Sequence, residues 1–216
     1  MGVIVFSGPS LPPSTIKATP NLEWRPPLRQ GDLYRAALER PTAIGVIDGF
    51  FETTPTVWHD EILFALDRGI VVYGAASIGA LRAAELHVYG MIGVGRIFEW
   101  FQDGTLEDDD EVAMLHGPAE LDFLPLTEAM VNVRATIDEA LRHNTFDTAT
   151  GAALITTAKS LFYKDRTWDA LFEDGAMPGI SRDELNHARA SLPEARVDQK
   201  RIDALALLNS LSPHLS

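Results

Sequence analysis

The chain has 216 residues, enough for one α/β core with a helical extension and short of two full domains. It contains no cysteine, which excludes disulfides, thiolate metal sites and any persulfide of its own, so sulfur chemistry here must use sulfur held by another molecule. A formal net charge of −13 opposes attraction to a phosphate backbone and argues against a nucleic acid partner, and no apolar run approaches the roughly 18 residues that span a bilayer.

The opening, MGVIVFSGPS, lacks the basic stretch of a signal peptide and reads as a first strand, Val3 to Phe6, so a cytoplasmic protein is expected. Ser10 to Gln30 carries five prolines and is expected to be extended or irregular, a length that suits a lid or binding loop. Helical spacing then predicts a helix over Gly31 to Arg40, a strand over Ala43 to Ile47, a helix over Val57 to Leu66 capped by Thr54 and Pro55, and a strand over Ile70 to Tyr73. Strands alternating with helices predict an α/β fold with a Rossmann-like parallel sheet, its first two helices on one face. Beyond Gly90 the strand signal fades. An aromatic helix over Ile97 to Phe101 is followed by helical patterns at Thr127 to His143, Asp147 to Phe162, Arg182 to Ser191 and Asp198 to Leu211. The expected division is an α/β core over residues 1–120 and a helical extension over residues 121–216.

Open parallel sheets bind ligands beyond the carboxyl ends of their strands, which here are Ser7 to Ser10, Asp48 to Phe51 and Gly74 to Gly79. The third exit, in IVVYGAASIGALRAAE, places Ser77 between an apolar run and strong helix formers. That is the layout of a nucleophile elbow, with Ala75 where the G-x-S-x-G pattern has its first glycine. The alternative is that Ser77 caps a helix while Gly74 and Gly79 relieve crowding. Gly8 could supply an oxyanion-binding amide or shape a tight turn. Asp48 could orient a histidine, bind a ligand hydroxyl or form an Asx-turn.

His59 is the nearest base by topology, and a neutral imidazole could take the serine proton; its alternative is a packed or surface residue. Arg82 either pairs with Glu85 three residues on or clamps an anion. EDDDEVAMLH supplies Asp109, Asp110, Glu111 and His116, either a solvated acidic turn or part of an acid/base or partner-binding set, and it matches no metal-ligand spacing. Gly90, Gly93 and Gly95 make a weak glycine loop without the preceding strand of a dinucleotide site. No metal or cofactor is expected.

The motifs VIDGFFETTPTVWHDEIL, GAASIGALRAAEL, GMIGVGRIF, DDEVAMLHGPAE and LTEAMVNVRATI occur in this order, and with them the sequence resembles the TfuA-like family over about Val3 to Tyr163. Ile78 stands where that family commonly has methionine after the serine. The resemblance implies a partner of a YcaO-type cyclodehydratase in peptide backbone thioamidation, where the YcaO enzyme activates the amide oxygen with ATP. The TfuA-like partner recruits, releases or delivers the sulfur.

Joined to the elbow, the resemblance gives a mechanism in which Ser77 attacks the thiocarboxylated C-terminus of a sulfur-carrier protein and releases hydrosulfide. His59 is the favoured base and His116 its competitor. The amides from Ser77 through Ile78 to Gly79, with Gly8, form the oxyanion hole. Two other readings remain open: a noncatalytic module that docks on the YcaO enzyme, and a nucleotide site at the same strand ends.

Overall fold

The computed structural model describes residues 2–12, 14, 20–50, 52, 54–173 and 177–215. Parts of the proline-rich segment, and Phe51 of the second strand exit, lie outside the described residues. The strands are β1 (Val3–Phe6), β2 (Leu22–Arg25), β3 (Ala43–Val46), β4 (Val71–Ala75) and β5 (Ile92–Val94). The helices are α1 (Asp32–Leu38), α2 (His59–Asp67), α3 (Ile78–Leu86), α4 (Arg96–Gln102), α5 (Met130–Arg142), α6 (Thr148–Ser160), α7 (Arg182–Ala195) and α8 (Gln199–Ser210). They fall into two compact units. The first holds the residues up to Asp109, Gly117–Leu124 and those from Lys200 onward; the second holds Asp110–His116 and Pro125–Gln199.

In the first unit all five strands are parallel, in the order β2-β1-β3-β4-β5, which makes the fold α/β with a Rossmann-like core. β1 and β3 are buried along their whole length, as expected where both faces of a parallel sheet are covered. On one face Ile4, Phe6, Ile44, Val46 and Val72 pack against Leu33 and Ala37 of α1, Ile62 and Ala65 of α2, and Ala83 and Leu86 of α3. The one-sided arrangement expected of the first two crossover helices is thus present and extends to a third.

The opposite face, with Val3, Val5, Ala43 and Ala75, is covered by Ala204 and Leu207 of α8 and by Leu211 just beyond it. A proline-rich connection between β1 and β2 cannot supply a regular crossover helix for that face, because each proline removes a backbone donor. The last helix of the chain covers it instead. Gly45 makes room for it: a Cβ there would lie 2.9 Å from Leu207 Cδ2.

Two strands depart from the sequence reading. β2 lies inside the segment expected to be extended or irregular, where Leu22, Glu23, Trp24 and Arg25 pair in register with Val3 to Phe6. β5 follows Gly90 directly and pairs with Tyr73 to Ala75. Both are edge strands, which need only one side of hydrogen bonding and tolerate the charges and glycine that hid them. The start of α2 also differs from the expected Thr54 and Pro55 cap: its N-cap is Trp58, whose N–H donates to Glu61 Oε1 at 3.2 Å.

In the second unit α5, α6 and α7 surround a core of Met130, Val133, Ile137, Leu154, Ala158, Leu185, Ala188 and Leu192. The helical region expected from residue 121 onward is therefore divided, with α5 to α7 in this unit and nearly all of α8 in the sheet unit. Among the described residues no helix is long and apolar enough to cross a membrane.

Candidate functional site

The chain leaves β4 at Ala75 and enters α3 at Ile78, so two residues make the turn. Ala76 has φ +66°, and the Ser77 N–H donates to the Ala75 carbonyl at 2.7 Å across it. That is the hydrogen-bond pattern of a γ-turn whose central residue has positive φ, a rare and strained form. The turn is tight because three backbones meet beneath it. A Cβ on Gly79 would lie 1.8 Å from the Val46 carbonyl oxygen of β3, and one on Gly74 would lie 2.1 Å from the Gly79 oxygen. Gly74 and Gly79 do relieve crowding, as one sequence reading held, and in doing so they fix the serine in place.

Ser77 is the N-cap of α3, yet its hydroxyl makes no capping hydrogen bond. The residue is 8% exposed, and its hydroxyl has no hydrogen-bond partner among the described residues. In the first turn of α3, the Ala80 and Leu81 N–H groups donate to the Ser77 carbonyl, at 2.9 and 3.3 Å, and Gly79 N–H reaches the Ile47 carbonyl at 3.4 Å. The Ile78 N–H has no partner among the described residues. A hydroxyl donor and an amide donor on consecutive residues are therefore left at the positive end of the helix.

The other strand exits are closed from within. Asp48, 1% exposed, accepts the N–H groups of Gly8 at 2.9 Å and Ser10 at 3.0 Å and the Ser10 hydroxyl at 2.6 Å. The carboxylate thus fastens the loop after β1; it neither forms the local Asx-turn nor meets a histidine, and the Gly8 amide is occupied by it. This loop and the Ser77 turn are joined through Gly49, whose Cβ position lies 2.8 Å from Ile78 Cγ2.

His59 opens α2, and its Nε2 meets Glu85 Oε2 at 2.8 Å. Arg82 Nη1 donates to the same oxygen at 2.6 Å, while Arg82 Nε donates to the Val57 carbonyl at 3.3 Å. Arg82 is thus paired with Glu85, one of its two sequence readings. Glu85 is eight residues beyond Ser77, about 12 Å along the helix axis, and no hydrogen bond joins His59 to the serine.

Glu61, two residues beyond His59, has a role that was not legible in the sequence. It is buried and accepts Gly31 N–H at 2.9 Å and Tyr34 N–H at 3.2 Å, closing the head of α1. The glycine loop differs from expectation, because β5 runs through it: Gly90 precedes the strand, Gly93 lies within it and Gly95 follows it. The Ile97 N–H at the head of α4 donates to Asp203 Oδ2 of α8 at 2.8 Å, and a Cβ on Gly95 would meet Asp203 Cγ at 2.3 Å.

The acidic run divides into two kinds of residue. Asp109 is exposed. Glu111, 2% exposed, receives a two-pronged bond from Arg134, with Nε and Nη2 at 2.9 and 2.8 Å, and meets Lys159 Nζ at 3.0 Å. Asp110 pairs with Lys159 and with Arg166 Nη2 at 2.8 Å; Arg166 is 1% exposed and also donates to the Ala158 and Leu161 carbonyls. Burial alone would raise the Asp110 carboxyl, but hydrogen bonds from Lys159 and Arg166 overcome it and hold the group below the usual carboxylate range. Two of the acidic residues thus belong to an ion network of the helical unit. His116 belongs to that unit too and bridges Pro125 in a short antiparallel pairing.

Chemically, the Ser77 turn offers a solvent-reachable hydroxyl on a buried residue, one amide beside it and a helix dipole aimed at both, with no partner for either donor among the described residues. Such a set can hold or attack a small carbonyl group bearing negative charge. Residues 48–167, more than half of the chain, match the family described as TfuA-like protein. The matched stretch begins at Asp48 and contains the whole Ser77 turn. No curated protein matches the chain.

Proposed function

Because the chain belongs to the TfuA-like family, which serves YcaO-associated thioamidation, we propose that it supplies that reaction with sulfide released at the Ser77 turn. The partners are a YcaO-type cyclodehydratase and a sulfur-carrier protein ending in a thiocarboxylate. Ser77 Oγ attacks the thiocarboxylate carbonyl, the C–S bond breaks, and hydrosulfide departs with the hydroxyl proton. The sulfur grows more basic as the bond to carbon breaks, so the substrate itself can accept this proton. The Ile78 N–H stabilises the transient oxyanion. Water then cleaves the ester, which restores Ser77 and leaves the carrier with a C-terminal carboxylate.

One observation carries this reading: Ser77 is 8% exposed at the head of α3, and its hydroxyl, within reach of solvent, neither caps the helix nor bonds any described residue. The absence of cysteine agrees with a mechanism that keeps sulfur on the carrier throughout. Acid quenching of protein mixed with thiocarboxylated carrier, followed by intact mass spectrometry, is expected to trap a carrier ester that maps to Ser77. A time course in which sulfide appears with no ester at any point would count against it.

A second reading, a noncatalytic module that docks on the YcaO enzyme, is favoured by the pairing of His59 with Glu85, which leaves Ser77 without an imidazole base. Full thioamidation with Ser77→Ala would select it.

A further inference from the structure

The main-chain amides that follow three of the other four strands are closed by a carboxylate of the chain itself, while after β3 the Asp48 and Phe50 N–H groups go to the Phe6 and Leu28 carbonyls. Asp48 serves Gly8 and Ser10 after β1, Glu61 serves Gly31 and Tyr34 after β2, and Asp203 serves Ile97 after β5. After β4 no carboxylate of the described residues does so. There Ser77, over nine-tenths buried as a residue, stands at the N-cap of a nine-residue helix with its hydroxyl within reach of solvent beside the Ile78 N–H, and neither group has a partner among the described residues.

We infer that this turn is completed by a carboxylate from outside the chain, and that the spent carrier's C-terminus is that group, so the hydrolysed carrier holds the site and inhibits the next turnover. The identity of the inhibitor rests on the sulfide-release reading, whereas the preference for a carboxylate does not. Two donors on adjacent residues suit the two oxygens of one carboxylate, and the positive end of α3 favours its charge. A C-terminal amide of the same shape lacks the charge and turns an NH₂ toward groups that are themselves donors.

The test is calorimetric titration of the full chain with a short peptide ending in Gly-Gly, as the free acid and as its C-terminal amide. The free acid is expected to bind at least tenfold more tightly, about 1.4 kcal/mol, to lose several-fold of its affinity in Ser77→Ala, and to compete with thiocarboxylated carrier by raising KM at constant kcat. Equal affinity of the two peptides, or no binding of the free acid at millimolar concentration, overturns the inference. Should Ser77→Ala keep sulfide release while the free acid is still preferred, the hydrolytic reading fails and the carboxylate site stands.

Discussion

The Ser77 turn and the Glu111 ion network both bury polar groups, and they satisfy them in opposite ways. In the network every named charge has an opposite partner: Arg134 and Lys159 on Glu111, Lys159 and Arg166 on Asp110. At the turn a solvent-reachable hydroxyl and an amide have no partner among the described residues, beside a backbone residue held at positive φ. A saturated cluster holds helices together and has nothing left to offer a ligand, whereas an unsaturated one persists only because the surrounding packing over-determines it. Here that packing is the contact of Gly74, Gly79 and Val46.

The contrast can be broken first at the network. Glu111→Ala leaves Arg134 without its two-pronged partner and is expected to lower unfolding free energy by about 3 kcal/mol, read by urea denaturation. Sulfide release per folded molecule should hardly change. A large loss of activity in protein shown to be folded would mean that the network serves the chemistry.

Gly79→Ala strikes the other region through its scaffold. A methyl group 1.8 Å from the Val46 oxygen forces the strand and helix apart, at a cost of roughly 2–3 kcal/mol, and displaces Ser77. Thermal denaturation and sulfide release should both fall, in contrast to Glu111→Ala.

Acid sharpens the comparison further. The Asp110 carboxyl lies below its ordinary range when folded, so its contribution to stability is present above the unfolded pKa, about 3.9, and is lost as pH falls through the lower folded value. Melting temperatures measured from pH 7 to pH 3 should drop at the acid end, and Asp110→Asn should flatten that drop. An unchanged acid limb in the variant would remove Asp110 from the network's account.

The smallest expected effect is the most telling about Ser77. A capping serine replaced by alanine costs about 1 kcal/mol, but here no capping bond exists to be lost. Ser77→Ala should therefore change stability by less than about 0.5 kcal/mol. A full capping loss in denaturation would restore the plain helix-cap role.

Much of this was legible in the sequence. Continuous apolar runs gave β1, β3 and β4, and the glycine spacing around Ser77 located the strand-to-helix turn, because both signals arise from local sterics and burial. β2 and β5 were missed, since edge strands carry weak signals, here the charged pair flanking Trp24 and the glycine in Ile92 to Val94. The partners of Asp48, Glu61 and Asp203 could not be read either. Each reaches an amide far away in sequence, and spacing along the chain says nothing about such pairings. The same limit applies to His59, which topology made the nearest base to Ser77 while its ring meets Glu85.

Sulfide release from a thiocarboxylated sulfur-carrier protein, measured for wild type and Ser77→Ala at matched folded concentration, tests the central claim most directly. The account predicts a loss of roughly 100-fold or more with stability unchanged. Release from Ser77→Ala at the wild-type rate would contradict it.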